Sequence, residues 1–346
     1  MKKKKFYTIG IDSGTQSTKA VLMDITTGRE CAIAVEKYPL YEKDDGSREQ
    51  KPADWIKAVK NTICSIVKSE KISPEQVLGI GVSAQQHGFV PLDKKGDVIR
   101  RAKLWNDTST QKQAEFLTKN LGGLKRTIAA TGNSIPPGFT ASKIRWLKEN
   151  EPANYKKLAL ILLPHNYINF WLTGNAVMEP GDASGTALYD VRKRTWSKKA
   201  VRALDDKKDI FTCLPPLQKS NEIVGTLKAD IAAKLGLSEK CIVSTGGGDN
   251  MMAAIGTGNV KPGVVTASLG TSGTIFAYSS QPVIDEEKGE IAAFCDSTGA
   301  WLPLLCVMNC TVSTELVKKA FGLTNEKLGK LAKKVAPGAD GLVLLP

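Results

Sequence analysis

The sequence predicts an α/β protein made of two similar domains, the second of which is incomplete. This prediction depends on one unit that occurs twice: a strand, a turn of Gly, Thr and Ser residues, and a second strand. The unit occupies residues 6–24 and again residues 264–278, and such a repeat indicates a duplicated domain. The 346 residues also suffice for about two domains. We place the boundary between residues 1–240 and residues 241–346.

The first domain is predicted to open with three antiparallel strands, at residues 6–12, 18–24 and 31–35. Short polar turns containing glycine separate them, so the chain reverses direction twice with no room for a helix. Residues 52–69 predict a helix, because Pro52 suits a first helical turn and apolar residues recur along one face.

The elements that follow are predicted from caps and apolar runs. Ser73 opens a capping-box pattern, which indicates a short helix before a buried strand at residues 77–83. The region from about residue 108 to residue 235 is mixed and mostly helical. The remaining predictions are helices at residues 140–150, 166–172 and 228–235, a strand at residues 241–245, a helix at residues 251–255 and a strand-like run at residues 341–346.

Charge and composition restrict the possible functions. The chain has a net charge of +13, but its lysines are interleaved with acidic residues and no aromatic cluster accompanies them. We therefore favour a basic surface suited to an anionic substrate such as a nucleotide, and expect no nucleic-acid partner. A nucleic-acid binder is the alternative that charge alone would support.

The sequence predicts a cytoplasmic protein with no membrane partner. No apolar stretch reaches the roughly 18–20 residues that span a bilayer. Lysines fill residues 2–5, but Asp12 and Lys19 interrupt the segment that a signal peptide would keep apolar. The seven cysteines are scattered and form no CxxC pair, which indicates reduced thiols.

Two turns are candidate phosphate-binding loops. In the first, Gly14 lets backbone N–H groups approach an anion, Ser13 and Thr15 add hydroxyl donors, and Asp12 could hold a hydrated Mg²⁺. The second turn contains Gly270, Thr271 and Ser272 in the repeated unit. Each turn alone is more often an ordinary hairpin, but as a pair they could grip one phosphate chain from opposite sides.

Asp249 is the candidate catalytic base. It follows three glycines at a predicted strand-to-helix turn, where a substrate hydroxyl could reach its carboxylate. Transfer of a phosphoryl group to an alcohol requires a base at such a position. The alternative is that Asp249 only caps the helix after it.

Polar side chains near two other strand ends suit a sugar pocket. Gln86 and His87 follow a buried strand, and Asp107 follows Trp105 closely. The alternatives are a histidine satisfied by backbone groups and a tryptophan packed in the core. His165 is interpreted as structural, and we find no hydrolase G-x-S-x-G motif or metal-ligand cluster.

In this order, these segments resemble the FGGY carbohydrate kinases, and the resemblance covers the whole chain. It implies an actin/hexokinase-like (ribonuclease H-like) fold of duplicated domains, with the site in the cleft between them. The glutamine–histidine pair is typical of family members that act on D-xylulose. The matching segments are residues 7–15, 83–88, 104–107, 137–143, 182–186, 247–250 and 268–273.

The resemblance also implies roles for the candidate residues. Asp249 would accept the proton of the sugar hydroxyl, and Gln86 and His87 would bind the sugar, with Asn250 and Asp107 assisting. ATP and Mg²⁺ would be the cofactors. The contacts to them would come from Asp12 for the metal, and from Ser13, Gly14, Thr15, Gly270, Thr271 and Ser272 for the phosphates.

The implied reaction is ATP-dependent phosphorylation of a ketopentose, with D-xylulose converted to D-xylulose 5-phosphate. Ribulose, gluconate, glycerol or another polyol is the alternative substrate, and a non-catalytic sugar-binding protein is the alternative function. The family's adenine-binding segment has no match in this chain, so we expect an incomplete nucleotide pocket. A homodimer is the oligomer that the resemblance favours.

Overall fold

The computed structural model describes residues 5–270 and 272–344. Its strands, in chain order, are β1 (Tyr7–Ser13), β2 (Ser17–Asp24), β3 (Glu30–Lys37), β4 (Tyr41–Glu42), β5 (Arg48–Gln50), β6 (Val77–Ala84), β7 (Val90–Leu92), β8 (Ala102–Lys103), β9 (Leu160–Leu162), β10 (Tyr189–Asp190), β11 (Thr195–Trp196), β12 (Ile223–Thr226), β13 (Ile242–Ser244), β14 (Gly247–Gly248), β15 (Val265–Leu269), β16 (Gly273–Ala277), β17 (Ala292–Cys295) and β18 (Trp301–Val307).

The α-helices account for about half of residues 108–235. They are α1 (Pro52–Ser69), α2 (Gln111–Asn120), α3 (Leu124–Thr131), α4 (Thr140–Asn150), α5 (Pro152–Lys157), α6 (Pro164–Thr173), α7 (Pro180–Ser184), α8 (Lys198–Leu204), α9 (Ala229–Leu235), α10 (Asp249–Gly256), α11 (Thr311–Ala320) and α12 (Asn325–Ala332). No helix of the described residues is both long and apolar enough to span a membrane.

The larger sheet has the order β12-β13-β6-β1-β2-β3 and carries most of the predicted elements. β1, β2 and β3 pair antiparallel, which confirms the predicted meander, and β6 joins β1 in parallel. Alternate residues of β1 and β2 are buried, among them Ile9 and Leu22. The predicted helix α1 covers them with an apolar face that includes Val59, Ile63 and Ile66.

The local predictions for the short elements also hold. Ser73 forms its capping box with Gln76, whose Oε1 accepts from the Ser73 backbone N–H, around a single 3₁₀ turn. Helix α9 ends where Gly236 adopts the left-handed conformation that glycine permits. Helix α10 begins at Asp249, two residues before the predicted start.

Strands β13 and β14 belong to the larger sheet, since both pair in parallel with β6. The predicted boundary at residue 240 therefore precedes the last two strands of this sheet. Helix α10 follows β14, and the next strand, β15, lies in a different sheet. The chain thus passes from the larger sheet to the second sheet after α10. The other described strands form three small sheets, β4-β5-β8, β7-β9 and β10-β11.

The second sheet is antiparallel throughout, with the order β15-β16-β18-β17. β15 and β16 form the repeated hairpin that the sequence predicts. β15 is an edge strand, and Val265 and Leu269 on it are about two-thirds exposed. The strand-like run predicted at residues 341–346 is wrong for residues 341–344, which contain no strand, and residues 345–346 lie outside the described range.

Candidate active site

Two neighbouring strand ends of the larger sheet bring the candidate sugar and catalytic residues together. β6 and β14 run in parallel, with Gly248 beside Ala84, so the residues after each strand emerge at one edge. Gln86 and Asn250 meet there, and the Asn250 Nδ2 donates to Gln86 Oε1 over 3.0 Å.

The resulting cavity has a volume of about 550 Å³ and is bordered by both sheets. Of the predicted site residues, it brings together Gln86, His87, Asp249, Asn250, Gly270 and Ser272. Thr271 lies outside the described residues. Other side chains on its wall are Trp105, Phe139, Phe294 and Thr274.

Asp249 has the electrostatic properties of a base at neutral pH. Burial raises its pKa to about 7, and the negative charges of Asp12 and Asp182 add to this effect. Its Oδ1 accepts from the backbone N–H of Asn250 over 2.7 Å, which lowers the pKa in part. Gly248, rather than Asp249, is the helix N-cap, so the carboxylate remains at the cavity.

The glycine before Asp249 is required by its close neighbour. A Cβ at Gly248 would lie 2.6 Å from Gln86 Cγ, a separation that real Cβ atoms essentially never show. The glycines thus permit the approach of the two strand ends that places Gln86 beside the catalytic segment.

The His87 imidazole is neutral and packs in a cluster with two phenylalanine rings, whose centroids are 6.0 Å apart. Its centroid is 4.7 Å from that of Phe139 and 5.5 Å from that of Phe294. Burial lowers its pKa to about 3, and the charge of Lys143 contributes in the same direction. Among the described residues, His87 Nδ1 and Gln86 Nε2 are buried without a hydrogen-bond partner. Both atoms are therefore suited to bind hydroxyl groups.

The first candidate phosphate turn lies behind the cavity wall. The Thr15 hydroxyl donates to Gln85 Oε1 over 3.2 Å and accepts from Trp105 Nε1 over 3.0 Å. The Ser13 hydroxyl is within 3.0 Å of that of Thr18, and Gly14 accepts from the Tyr38 hydroxyl. The structure thus ties this turn to the cavity through Trp105, with its hydroxyls already bonded to protein.

Asp12 faces a second groove, which Lys19, Ser83 and Met252 also line. Its Oδ1 accepts from the Ser83 hydroxyl over 3.2 Å, while burial raises its pKa. Its charge raises the pKa of Asp249, so the two carboxylates act on the same region. Within the described residues there is no cluster of three potential metal ligands.

Asp107 does not line the cavity in the described part of the chain, contrary to the predicted role in sugar binding. It is fully buried, and its Oδ2 accepts from Lys103 Nζ and from the Arg48 backbone N–H, both over 2.9 Å. Its Oδ1 accepts from the backbone and hydroxyl of Ser109. These contacts make Asp107 a structural residue.

Replacing Asp107 by Asn is therefore expected to reduce stability without changing sugar affinity. The variant removes the closest carboxylate from the buried Lys103 ammonium but leaves Glu49 Oε1 3.6 Å from its Nζ, so we expect a loss of about 1–3 kcal/mol. Chemical denaturation measures the loss, and sugar titration of the folded protein measures the affinity. A weaker affinity at unchanged stability would restore Asp107 to the sugar site.

Some residues near the site carry no local sequence signal. His165 is fully buried, as the structural interpretation requires, and its Nδ1 is paired with the Asp182 carboxylate. The sequence marks Asp182 only as part of the family-like segment 182–186, yet its charge raises the pKa of Asp249. Phe294 and Thr274 reach the cavity from the second sheet. Only the family-like segment 137–143 could have pointed to Phe139.

Comparison with known proteins gives consistent matches. Residues 7–256 match the N-terminal domain of the FGGY family of carbohydrate kinases. The xylulose kinase of Haemophilus influenzae is 42% identical over 342 residues, which cover 98% of this chain and 69% of that protein. The xylulose kinase of Bacillus subtilis is 35% identical, with 98% and 67% covered.

The solved structures extend the comparison to the fold. The xylulose kinase from Bifidobacterium adolescentis has a TM-score of 0.82 at 30% identity, over 97% of this chain and 71% of that one. The gluconate kinase from Lactobacillus acidophilus has a TM-score of 0.89 at 24% identity, over 99% and 68%. The chain thus spans about two thirds of the length of these relatives.

Proposed function

The chain belongs to the FGGY family of carbohydrate kinases, and from this premise we propose that it serves the ATP-dependent phosphorylation of D-xylulose to D-xylulose 5-phosphate. The observation that carries the proposal is the shared cavity in which Asp249 lies beside Gln86 and His87. A proton acceptor and two hydroxyl-binding groups are what transfer to a sugar hydroxyl needs. The xylulose kinases among the relatives support the choice of sugar.

Asp249 is proposed as the general base. Its carboxylate takes the proton of the attacking hydroxyl while that oxygen bonds to the γ-phosphorus of ATP. The bond between the γ-phosphorus and the bridging oxygen breaks, and ADP leaves with the electron pair. A base with a pKa of about 7 is half deprotonated at neutral pH, yet holds the transferred proton well.

The proposed sugar contacts come from one wall of the cavity. Gln86 Nε2 can donate to a sugar oxygen, and the neutral His87 can donate from one ring nitrogen and accept at the other. Phe139 and Phe294 pack against the imidazole. Asn250 supports this arrangement by its bond to Gln86.

The phosphates of ATP are proposed to lie against the second hairpin turn. Gly270 and Ser272 line the cavity beside Asp249, and Thr271 completes the predicted loop. In this proposal the opposing turn consists of Ser13, Gly14 and Thr15. The hydrogen bond from Trp105 Nε1 to the Thr15 hydroxyl connects this turn to the cavity. Domain closure over the phosphates would exclude water from the transferable group.

The carboxylates fit a magnesium ion bound together with the nucleotide. The negative charges of Asp12 and Asp249 repel each other, and a bound divalent cation would reduce this repulsion. Mg²⁺ commonly uses one or two carboxylates and completes its ligands with water and phosphate oxygens. Asp12 is the proposed protein ligand, and when bound the ion would neutralise phosphate charge. The homodimer and the cytoplasmic location also remain predictions.

A sugar titration tests the proposal. We expect D-xylulose to bind at least about 10-fold more tightly than D-ribulose, gluconate or glycerol, since a site built for hydroxyl contacts rejects mismatched partners. Calorimetry measures the affinities, and His87→Ala is the control that removes the contact. Preference for another sugar would reassign the substrate. Binding without ADP formation would favour a non-catalytic sugar-binding protein.

A further inference from the structure

His87 has a backbone conformation that its surroundings must maintain. Its φ of 62° lies in the left-handed region, which residues with a Cβ rarely occupy. Such residues persist where neighbouring groups over-determine the conformation, and they concentrate at functional sites. The conformation of His87 decides where its imidazole enters the cavity.

Helix α4 supplies two groups that hold the His87 carbonyl. Lys143 Nζ donates to this oxygen over 2.7 Å, and also to the Gly138 carbonyl over 2.6 Å. The Thr140 hydroxyl donates to the same His87 oxygen over 3.2 Å. Thr140 and Lys143 are three residues apart on one helix, so their side chains lie on the same face.

The burial of the Lys143 amine has a desolvation cost in free energy. The residue is fully buried, and burial lowers its pKa well below the usual range, although the charge of Asp107 opposes this. In residues 5–270 and 272–344, its Nζ donates to two main-chain carbonyls and forms no ion pair with a carboxylate. An apolar side chain would fill the space at a smaller desolvation cost. What the amine adds is donors for two carbonyls.

We propose that Lys143 is a positioning residue for sugar recognition, which sets the orientation of the His87 imidazole by holding the backbone carbonyl of His87. Lys143 is not among the residues that line the cavity in the described chain, so it acts through His87 and not on the sugar. The inference rests on the proposed function for its substrate, but the contacts on which it depends are within the protein.

Lys143→Met tests the proposal, because methionine keeps most of the volume and removes both donors. We expect the Kd for D-xylulose to rise by about 10–100-fold, since the loss of hydrogen bonds between a misplaced group and its ligand has effects of this size. Thr140→Val removes the weaker donor, and we expect a rise of about 3-fold. Thermal unfolding followed by circular dichroism shows whether each variant is folded.

A spectroscopic readout separates positioning from general stability. The chain has 2 histidines, so NMR of labelled imidazoles gives separate signals for His87 and for the buried His165. In Lys143→Met we expect the His87 signals to shift or broaden and those of His165 to stay unchanged. Thr140→Val should shift the His87 signals in the same direction by a smaller amount.

A folded Lys143→Met protein with wild-type xylulose affinity and unchanged His87 signals would overturn the proposal. If Lys143→Met does not fold, Thr140→Val decides: unchanged His87 signals and affinity in that variant would also overturn it. If the wild-type chain binds no D-xylulose, the proposed function fails, while the His87 signals still decide whether Lys143 holds this residue.

Discussion

Replacing Asp249 by Asn is expected to lower kcat for D-xylulose phosphorylation by about 10²–10⁴-fold, the usual contribution of a positioned general base. Asparagine keeps the size and the contact with Asn250 but cannot take the hydroxyl proton. The Kd for D-xylulose should stay within a few-fold of wild type, because the proposed sugar contacts come from Gln86 and His87. Initial rates of ADP formation and sugar titration measure the two effects.

The same substitution is expected to stabilise the protein at higher pH. Asp249 has a pKa of about 7 in the folded protein against about 4 in the unfolded chain, so the folded state binds its proton more tightly. The resulting stability is present below pH 4 and is lost as the pH rises through 7. The amide of the Asp249→Asn variant does not titrate and has no such loss. The Tm difference between variant and wild type should therefore grow from pH 4 to pH 7 and then level off.

A matched surface substitution makes these two results specific. Asp230 is exposed, and its ion-pair partner in the described part of the chain is Lys234 on helix α9. The Lys234 hydrogen bond lowers the pKa of Asp230, so Asp230→Asn should change neither kcat nor the variation of Tm between pH 4 and pH 7. Wild-type turnover in Asp249→Asn would remove Asp249 from the role of base. A Tm difference that does not vary with pH would contradict its raised pKa.

Replacing Gly185 by Ala should reduce D-xylulose affinity by about 10–100-fold, because the displaced imidazole loses its hydrogen bonds to the sugar. A Cβ at this position would overlap His87 Cε1 and Nδ1. Gly185 has an ordinary φ of −85°, so the effect is steric and not a matter of backbone strain. Phe139 and Phe294 pack against the imidazole, and they restrict its movement toward that side.

Gly329→Ala is the control for this second prediction. Gly329 lies inside the exposed helix α12, and a Cβ there would meet no atom within 4 Å. Alanine should stabilise that helix by up to about 1 kcal/mol and leave sugar binding unchanged. Calorimetric titration of both variants gives the comparison. Wild-type affinity in a folded Gly185→Ala protein would show that the His87 position does not determine sugar binding.

Local pattern predicts much of the fold. The meander of β1, β2 and β3 and the helix α1 are recognisable because alternation, turn residues and the apolar face are all encoded within short windows. The position of β13 in the sheet is not recognisable in this way, because its parallel pairing with β6 joins residues about 160 positions apart. A boundary read from a repeated hairpin could not reveal that pairing.

The candidate site is predictable in kind and less so in detail. Asp249 and Gln86 each follow a strand, and their residue types indicate a base and a hydroxyl-binding group. The sequence does not show that they are neighbours, because it is the parallel pairing of β14 with β6 that brings them together. Asp107 shows the limit of this reasoning. A carboxylate near a tryptophan is equally typical of a sugar pocket and of a buried ion pair. The contacts of Asp107 with Lys103 Nζ and with the backbone N–H of the distant Arg48 favour the buried ion pair.

Asn250 gives the cleft a mechanical connection. Its Nδ2 is bonded to Gln86, after a strand of the larger sheet, and its Oδ1 accepts from the Thr274 hydroxyl of the second sheet over 3.1 Å. One amide therefore spans the two halves of the molecule beside the catalytic carboxylate. A rotation of one sheet against the other would change the length of at least one of these bonds, so opening and closing of the cleft is coupled to the position of the side chain next to Asp249.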